Sequence, residues 1–317
     1  MNGKLTPSRL ALISLVLGLL MVTAFFAGCT QSTTTTATPA ATAAPTAAST
    51  PAATPVATVA TAAPTTVATT ATPAPTFTPS RTNIVAFTAA SLTGAAPTIA
   101  SSFNAAYPPD TVSFDLDGTQ ALKTQIENGA YADVFISASN SYTNTLTKEG
   151  YLVPSTVKTL TTNYVTVILP ASNPANIQSL SDLAKPGIKI AMAANTVPVG
   201  TATTAVLNNL ANDTYSQSWK NQTISNVVTY ETSEPAVATK VSLGEVDAGF
   251  VYQSTANAAP SGTYQSITIP KKDNYLQTYT IAIVNQSQNK AVGSWFEQYM
   301  LSAAGQNILA QYGFTAP

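Results

Sequence analysis

The sequence predicts a two-lobed α/β fold, in which each lobe holds a mainly parallel sheet flanked by helices. Short apolar segments with the pattern of buried strands alternate with segments whose apolar residues recur at helical spacing. Buried strands that alternate with helices are typical of parallel sheets covered by helices on both faces. The alternation begins at Ile84 and starts again at Tyr164, which indicates two lobes.

The first residues have the pattern of a lipoprotein signal peptide. A short basic head precedes an apolar run from Leu10 to Phe26, and two small residues stand directly before Cys29. A signal peptidase that cleaves before a lipidated cysteine requires small residues there, whereas an uncleaved signal anchor is the alternative. We predict a signal peptide over residues 1–28 and a chain anchored to the outer face of the cell membrane by lipid on Cys29.

The following segment, residues 29–81, is predicted to be a disordered tether. After Cys29 it consists almost wholly of Thr, Ala, Pro, Ser and Val. Such a segment has too little bulky apolar surface to offset the entropy of ordering, and its prolines keep it extended. Its many hydroxyl groups leave open whether the tether is O-glycosylated or bare.

Composition argues against several classes of function. The formal net charge is −1, charged residues make up 9% of the chain, and histidine is absent, so a polyanion-binding surface and imidazole catalysis both lack the necessary residues. A single cysteine excludes an internal disulfide and a multi-cysteine metal site. Asp117 and Glu234 are the only acids we find for an enzyme of this fold, and neither has a catalytic partner. We therefore predict a binding protein that is not an enzyme and does not bind nucleic acid.

Lobe 1 is predicted to begin with three strands separated by helices. Proline removes a backbone hydrogen bond from a helix interior, so the helix that follows Ser91 should start late or kink at Pro97. The second helix should stop at Gly129. The elements are the strand Ile84–Thr88, a helix with Leu92, Ala95, Ile99 and Phe103 on one face, the strand Val112–Leu116, a helix with Ala121, Leu122 and Ile126 on one face, and the strand Asp133–Ser137.

Lobe 2 repeats the pattern over residues 164–255, and the remainder is expected to return to lobe 1. The predicted lobes are therefore 82–163 with 256–317, and 164–255, with crossings near Tyr164 and Ser254 that form a hinge. The later elements are strands at Tyr164–Leu169, Lys189–Ala193, Asn226–Tyr230, Ala248–Tyr252 and Thr278–Val284, and helices through Ala205 and Leu210, over Val292–Leu301 and over Ala303–Tyr312.

One local arrangement recurs: a strand ends in a polar or glycine-bearing turn that opens a helix. It occurs at Ser91, at Gly118 and Thr119, and at Val199 and Gly200. The first amide groups of a helix lack intrahelical partners and lie at the positive end of its dipole, which suits an anion. Any one such turn is more often an ordinary helix cap. Three of them at the carboxyl ends of strands in two facing lobes favour an anion site.

At these residues the sequence resembles the periplasmic molybdate-binding proteins of ABC transporters. The similarity covers about Asn83 to Pro317 and implies the type II periplasmic-binding-protein fold. The segments that carry it are AASLT at 89–93, ENGAYADVFIS at 127–137, VPVG at 197–200, GEVDAGFVY at 244–252 and QYGFT at 311–315.

The resemblance implies five ligand-binding residues. Ser91 and Thr119, where the family usually has serine, should each give a hydroxyl and a backbone N–H group. Val199 and Glu234 should give backbone N–H groups, and Tyr252 its phenolic O–H. Archaeal relatives complete the metal's coordination with two carboxylates, but the position expected to carry the aspartate is Val197 here. The resemblance therefore implies a hydrogen-bonded tetrahedral anion with no protein atom bound to the metal.

The expected function is capture of molybdate or tungstate in a cleft between the lobes and delivery to the permease of an ABC importer. We expect a monomer that needs no cofactor besides its ligand. One alternative is a protein of the same fold for another solute, such as sulfate, phosphate or a small organic anion. Another is a surface adhesion module, which the Thr-rich tether would suit but which predicts no ligand cleft.

Overall fold

The computed structural model of the protein describes residues 81–317, so the predicted signal peptide, Cys29 and the tether before Arg81 lie outside the described residues. The strands are β1 (Asn83–Ala89), β2 (Thr111–Asp117), β3 (Val134–Ser137), β4 (Lys158–Pro170), β5 (Ile190–Ala193), β6 (Val227–Glu231), β7 (Ala248–Tyr252), β8 (Tyr264–Thr268) and β9 (Leu276–Ile283). The helices are α1 (Ala96–Ala106), α2 (Thr119–Glu127), α3 (Asn140–Lys148), α4 (Pro198–Asp213), α5 (Gln217–Ser225), α6 (Glu234–Ser242), α7 (Gln253–Ala258), α8 (Lys290–Leu301) and α9 (Ala303–Gln311). Shorter 3-10 turns cover Ala90–Leu92, Pro154–Thr156 and Leu180–Ala184.

The long strand β4 joins two half-sheets. Its residues 158–164 pair antiparallel with β9, and its residues 165–168 pair antiparallel with β7. In the first half-sheet β1 lies parallel between β2 and β3, and in the second β5 lies parallel between β6 and β7. We call these halves, with their helices, lobe 1 and lobe 2. The predicted α/β class is confirmed, but the half-sheets are mixed, because β4, β8 and β9 add antiparallel pairings to the parallel strands.

The position of strand β8 differs from the predicted boundary between lobe 2 and the second part of lobe 1. It pairs with residues 166–170 of β4, so it belongs to the half-sheet of lobe 2, whereas the prediction assigned all of 256–317 to lobe 1. Strand β7 covers one edge of this part of β4, and β8 pairs with the backbone groups of the other edge, which would otherwise lack partners. The chain returns to lobe 1 in β9, whose pairing with β4 extends to Leu276 opposite Tyr164.

The core of lobe 1 lies on both faces of its half-sheet. Alternate residues of each strand point to opposite faces, so Phe87 and Phe135 pack with Leu122 of α2, whereas Ala86 and Ile136 belong to the other cluster. The second face is covered in part by α1 and α8. Phe103 and Phe296 of these helices meet edge to face with ring centroids 5.1 Å apart.

Helix α1 starts late, as Pro97 predicts. The chain forms a 3-10 turn at Ala90–Leu92 and enters α1 only at Ala96, with the proline in the first helical turn. A first-turn residue has no intrahelical acceptor for its N–H group, so the missing donor of proline costs nothing there. Within residues 81–317, none of the helices is both long enough and apolar enough to cross a membrane.

Candidate functional site

A small cavity lies between the lobes, where several chain segments meet after leaving the carboxyl ends of strands. The turn Ala90–Leu92 and α2 reach it from lobe 1, and α4 and α6 reach it from lobe 2. Its volume, taken as the space that the centre of a water molecule can occupy, is about 20 Å³. The lining residues are Ala89, Ala90, Ser91, Gly118, Thr119, Ala138, Val197, Pro198, Val199, Glu234 and Tyr252.

Ser91 lies in the turn that follows β1, and its hydroxyl forms a hydrogen bond with a residue near the C-terminal end of the chain. Its Oγ atom lies 2.8 Å from Oη of Tyr279 on β9, and either atom could donate. Its backbone carbonyl accepts a hydrogen bond from Oγ of Ser254 at 3.2 Å. Burial raises the pKa of Tyr279 well above its usual value, so the phenol keeps its proton.

Thr119 is the first residue of α2 and is almost fully buried. Its Oγ1 atom accepts a hydrogen bond from the N–H group of Ala138 at 3.1 Å. Because a hydroxyl can both accept and donate, this contact leaves the hydroxyl hydrogen of Thr119 for a ligand. The same contact ties the start of α2 to the segment after β3.

Helix α4 brings backbone amides to the cavity from lobe 2. Its first residue is Pro198, which has no N–H group, so Val199 and Gly200 carry the first free amides of the helix. A Cβ atom on Gly200 would lie 2.1 Å from the carbonyl oxygen of Ala194 and 2.6 Å from that of Ala193. Only glycine therefore permits this close approach of α4 to the end of β5.

Glu234 begins α6, so its backbone N–H group is also among the free amides of a first turn. Its side chain is 4% exposed, and Oε1 accepts hydrogen bonds from the N–H group of Tyr252 and from Oγ1 of Thr255, both at 2.7 Å. Burial raises the pKa of Glu234 to about 7, although both hydrogen bonds act in the opposite direction.

Tyr252 ends β7 and connects the cavity to the junction of the lobes. Its hydroxyl donates to Oε1 of Gln277 on β9 at 3.1 Å, and its ring meets that of Tyr279 edge to face. Close by, Nδ2 of Asn163 on β4 donates to Oγ of Ser254 at 2.8 Å. Buried polar side chains of β4 and β9 thus lie where these two strands pass between the lobes.

The structure brings all five sequence-predicted residues to one cavity, two from lobe 1 and three from lobe 2. Their role as ligands stays a prediction. Sequence reasoning missed Tyr279, Gln277 and Thr255, which touch the predicted residues from strands or helices far away in the chain. No local motif could have revealed them, because each contact depends on tertiary pairing.

Chemically, the arrangement is a cage of neutral donors around a small space. No lysine or arginine lines it, and the groups that reach it are hydroxyls, helix-start amides and one buried carboxyl. Such a set can satisfy the oxygens of an anion without a buried cation. The fold and the site together define a two-lobed protein with a cavity of neutral hydrogen-bond donors between its lobes.

Comparison with known proteins places the chain in a family. The model of the family "Bacterial extracellular solute-binding protein" matches residues 84–315, and the chain belongs to that family. The molybdate-binding protein ModA of Mycobacterium tuberculosis is 32% identical over 235 residues, which are 74% of this chain and 85% of that protein. The predicted membership among extracytoplasmic solute-binding proteins is confirmed.

Solved structures show the same fold. The periplasmic molybdate-binding protein of Azotobacter vinelandii superposes with a TM-score of 0.64 at 22% identity, covering 74% of this chain and 99% of its own. The sulfate-binding protein SubI of M. tuberculosis gives 0.66 at 18% identity, covering 74% and 86% respectively. At these identities the two structures establish the fold and leave the choice of anion open.

Proposed function

We propose that the chain binds molybdate or tungstate in the cavity between its lobes and delivers the anion to the permease of an ABC importer. The donor set of the cavity is the observation that supports this most. A fully deprotonated oxyanion can only accept hydrogen bonds, and the cavity offers hydroxyls from lobe 1 and backbone amides from both lobes. The relative at 32% identity is itself named a molybdate-binding protein.

The small size of the cavity supports an inorganic anion over an organic phosphate. Its volume of about 20 Å³ slightly exceeds the minimum of about 10–15 Å³ that one water needs by the same measure. Pockets for drug-sized molecules are about 300–1,000 Å³. A sugar phosphate would therefore require the lobes to separate.

Sulfate is the strongest alternative, because a sulfate-binding protein shares the fold. Molybdate, tungstate and sulfate have the same charge and shape, so attraction alone cannot separate them. A cage of fixed donors can select by size, because the smaller sulfate cannot reach donors on both lobes at once. Each buried donor left unpaired costs about 1–3 kcal/mol.

Calorimetric titration of the chain with molybdate, tungstate, sulfate and phosphate tests the proposal. We expect molybdate and tungstate to compete for one site and sulfate to bind about a hundredfold more weakly, the result of two unpaired donors. Phosphate should also bind weakly, because near neutral pH it carries a proton that requires an acceptor. Sulfate binding as tight as molybdate binding would show that the anion has been misassigned.

Two variants of Thr119 link this affinity to the cavity. Thr119→Ala removes the hydroxyl and should weaken molybdate binding by roughly 1.5–3 kcal/mol, the range for a hydrogen bond to a charged group. Thr119→Ser keeps the hydroxyl and serves as the matched control, with affinity near that of the unmodified chain. Equal affinity in both variants would place the anion elsewhere.

We further propose that lipid on Cys29 holds the mature protein at the outer face of the membrane. The support is the order of a basic head, an apolar run and small residues before the cysteine. Two acyl chains anchor a protein stably where one does not, so we expect diacylation. Cys29→Ala should release the protein into the medium or leave it unprocessed, which cell fractionation would measure.

A further inference from the structure

The side chain of Glu234 is fixed beside the cavity by its neighbours. Its Oε1 atom accepts from two donors, the backbone N–H group of Tyr252 on β7 and the hydroxyl of Thr255 on α7, both at 2.7 Å. Two acceptor contacts on one oxygen fix the plane of the carboxyl group. They also leave the other oxygen, Oε2, to face a different environment.

Oε2 of Glu234 has no hydrogen-bond partner among residues 81–317. It is nevertheless absent from the enclosed polar atoms without partners, which are Oε1 of Gln120, Oγ1 of Thr203 and Oη of Tyr299. Oε2 is therefore not fully enclosed, and the cavity that Glu234 lines is the one between the lobes. Glu234 is 4% exposed and thus has, beside the proposed anion site, one carboxyl oxygen without a partner among residues 81–317.

Among residues 81–317, no lysine or arginine forms a salt bridge or a hydrogen bond with this carboxyl. The turn 90–92 and β5, which pack against α6, carry no titratable side chain, and on β6 the carboxylate of Glu231 accepts from Oγ1 of Thr229. Of the titratable residues of β4, Lys158 interacts electrostatically with Glu297, and the ring of Tyr164 contacts the ammonium group of Lys271. Tyr230 of β6 is exposed, Tyr264 of β8 donates to the carbonyl of Ala238 on α6, and the buried phenols of Tyr252 and Tyr279 interact electrostatically with Glu234.

We propose that Glu234 binds the anion as a neutral acid, with a proton on Oε2 that is donated to an anion oxygen, so that anion capture takes up one proton above neutral pH. This inference rests on the proposed function, because it assigns a donor to the same site. An ionised carboxylate would repel a dianion in a buried space that no lysine or arginine lines. A protonated carboxyl is a neutral hydroxyl donor like the side chains of Ser91 and Thr119.

The sign of the pH dependence follows from linkage. Burial already raises the pKa of Glu234 to about 7 in the free protein, and a dianion beside it would raise the pKa further in the complex. Between these two values the complex holds one more proton than the free protein, so affinity falls as pH rises. Below the lower value both forms are protonated and affinity is constant.

Calorimetric titration with molybdate from about pH 6 to about pH 9 tests this coupling. The unmodified chain should lose up to about tenfold in affinity per pH unit above about pH 7. In buffers of different ionisation enthalpy it should take up close to one proton per anion there. Glu234→Gln, which has the shape of the neutral acid and an N–H donor in place of Oε2–H, should bind with constant affinity and take up no proton.

Glu231→Gln is the matched control, because it removes a carboxylate at the end of β6 in the same lobe, and it should keep the pH dependence. Molybdate affinity that does not change with pH would overturn the inference and leave the proposed function standing. Affinity that rises with pH, together with loss of binding in Glu234→Gln, would also overturn it, because it would indicate an ionised carboxylate on the metal atom. Absence of binding to any oxyanion at about pH 6 would instead refute the proposed function.

Discussion

Ser91 depends on Tyr279 for the direction of its hydroxyl group. An oxyanion offers only acceptors, so a serine that binds it must turn its hydrogen toward the anion. The phenol 2.8 Å away must then be the donor to Oγ of Ser91, and it keeps its proton because burial raises its pKa. Under the proposed function Tyr279 is thus a positioning residue, since it orients the side chain of Ser91 and does not itself line the cavity.

Tyr279→Phe should weaken molybdate binding roughly two- to tenfold, the effect of about 0.5–1.5 kcal/mol for one hydrogen bond. The ring remains, so its edge-to-face contacts with Tyr252 and Phe314 are kept. Tyr299→Phe is the control, because Oη of Tyr299 is buried without a partner and its removal should cost nothing. Calorimetry measures affinity, and thermal unfolding checks the fold; equal affinity in both variants would contradict the positioning role.

At this scale the sequence allowed prediction of the residues in contact with the cavity but not of those behind them. Ser91 and Thr119 each follow a strand by two residues and Val199 follows one by six, so their position at a carboxyl edge is a local property. Tyr279 reaches Ser91 across 188 residues of sequence, through the pairing of β9 with β3. The proposed role of the Glu234 side chain as a neutral acid depends on its burial, which cannot be read from the sequence.

Among the elements, α4 combines a proposed binding role with a packing constraint. Its first free amides face the cavity, and its start presses against the end of β5 at Gly200. The backbone carbonyls of Ala193 and Ala194 cannot rotate away as a flexible side chain would. The glycine at the helix start therefore fixes how close the amides of α4 come to the ligand.

Gly200→Ala should destabilise the protein by about 1–3 kcal/mol, the usual cost of forcing a methyl group into a packed site, and should weaken molybdate binding as α4 moves. Gly293→Ala in α8 is the matched control. Its Cβ atom would lie 3.2 Å from Cδ1 of Ile283, the movable end of a side chain, and alanine favours the helix by about 1 kcal/mol. Chemical denaturation distinguishes the two, and equal stability would contradict the close approach.

Elements with strong apolar patterns were predicted, and polar ones were not. The strands of lobe 1 and the helices α4, α8 and α9 agree with the sequence to within a few residues. Helix α3 (NSYTNTLTK) escaped prediction because it buries only Thr143 and Leu146. Strand β8 has only half-buried and exposed residues, so it carries no alternating apolar signal.

In the molecule as a whole, two side chains of lobe 1 form hydrogen bonds with backbone carbonyls of lobe 2. Nε2 of Gln120 on α2 donates to the carbonyl of Thr232 at 2.8 Å, and Oη of Tyr142 on α3 donates to the carbonyl of Thr196 at 2.5 Å. Neither acceptor binds the anion. These contacts can form only when the lobes are together, so they stabilise the closed arrangement relative to an open one.

The double variant Gln120→Ala, Tyr142→Phe should therefore release molybdate faster while its ligand-binding atoms stay unchanged. Two lost hydrogen bonds of about 0.5–1.5 kcal/mol each predict dissociation about 5- to 150-fold faster, measured by stopped-flow displacement with tungstate. Asn144→Ala, an exposed change on α3, is the control and should dissociate at the original rate. Small-angle scattering with and without saturating molybdate supplies the second measurement, because the anion joins donors from both lobes and should shift the population toward the compact form. Unchanged dissociation in the double variant, together with identical scattering profiles, would mean that the two lobes form a rigid unit and that the anion enters without any opening of the cleft.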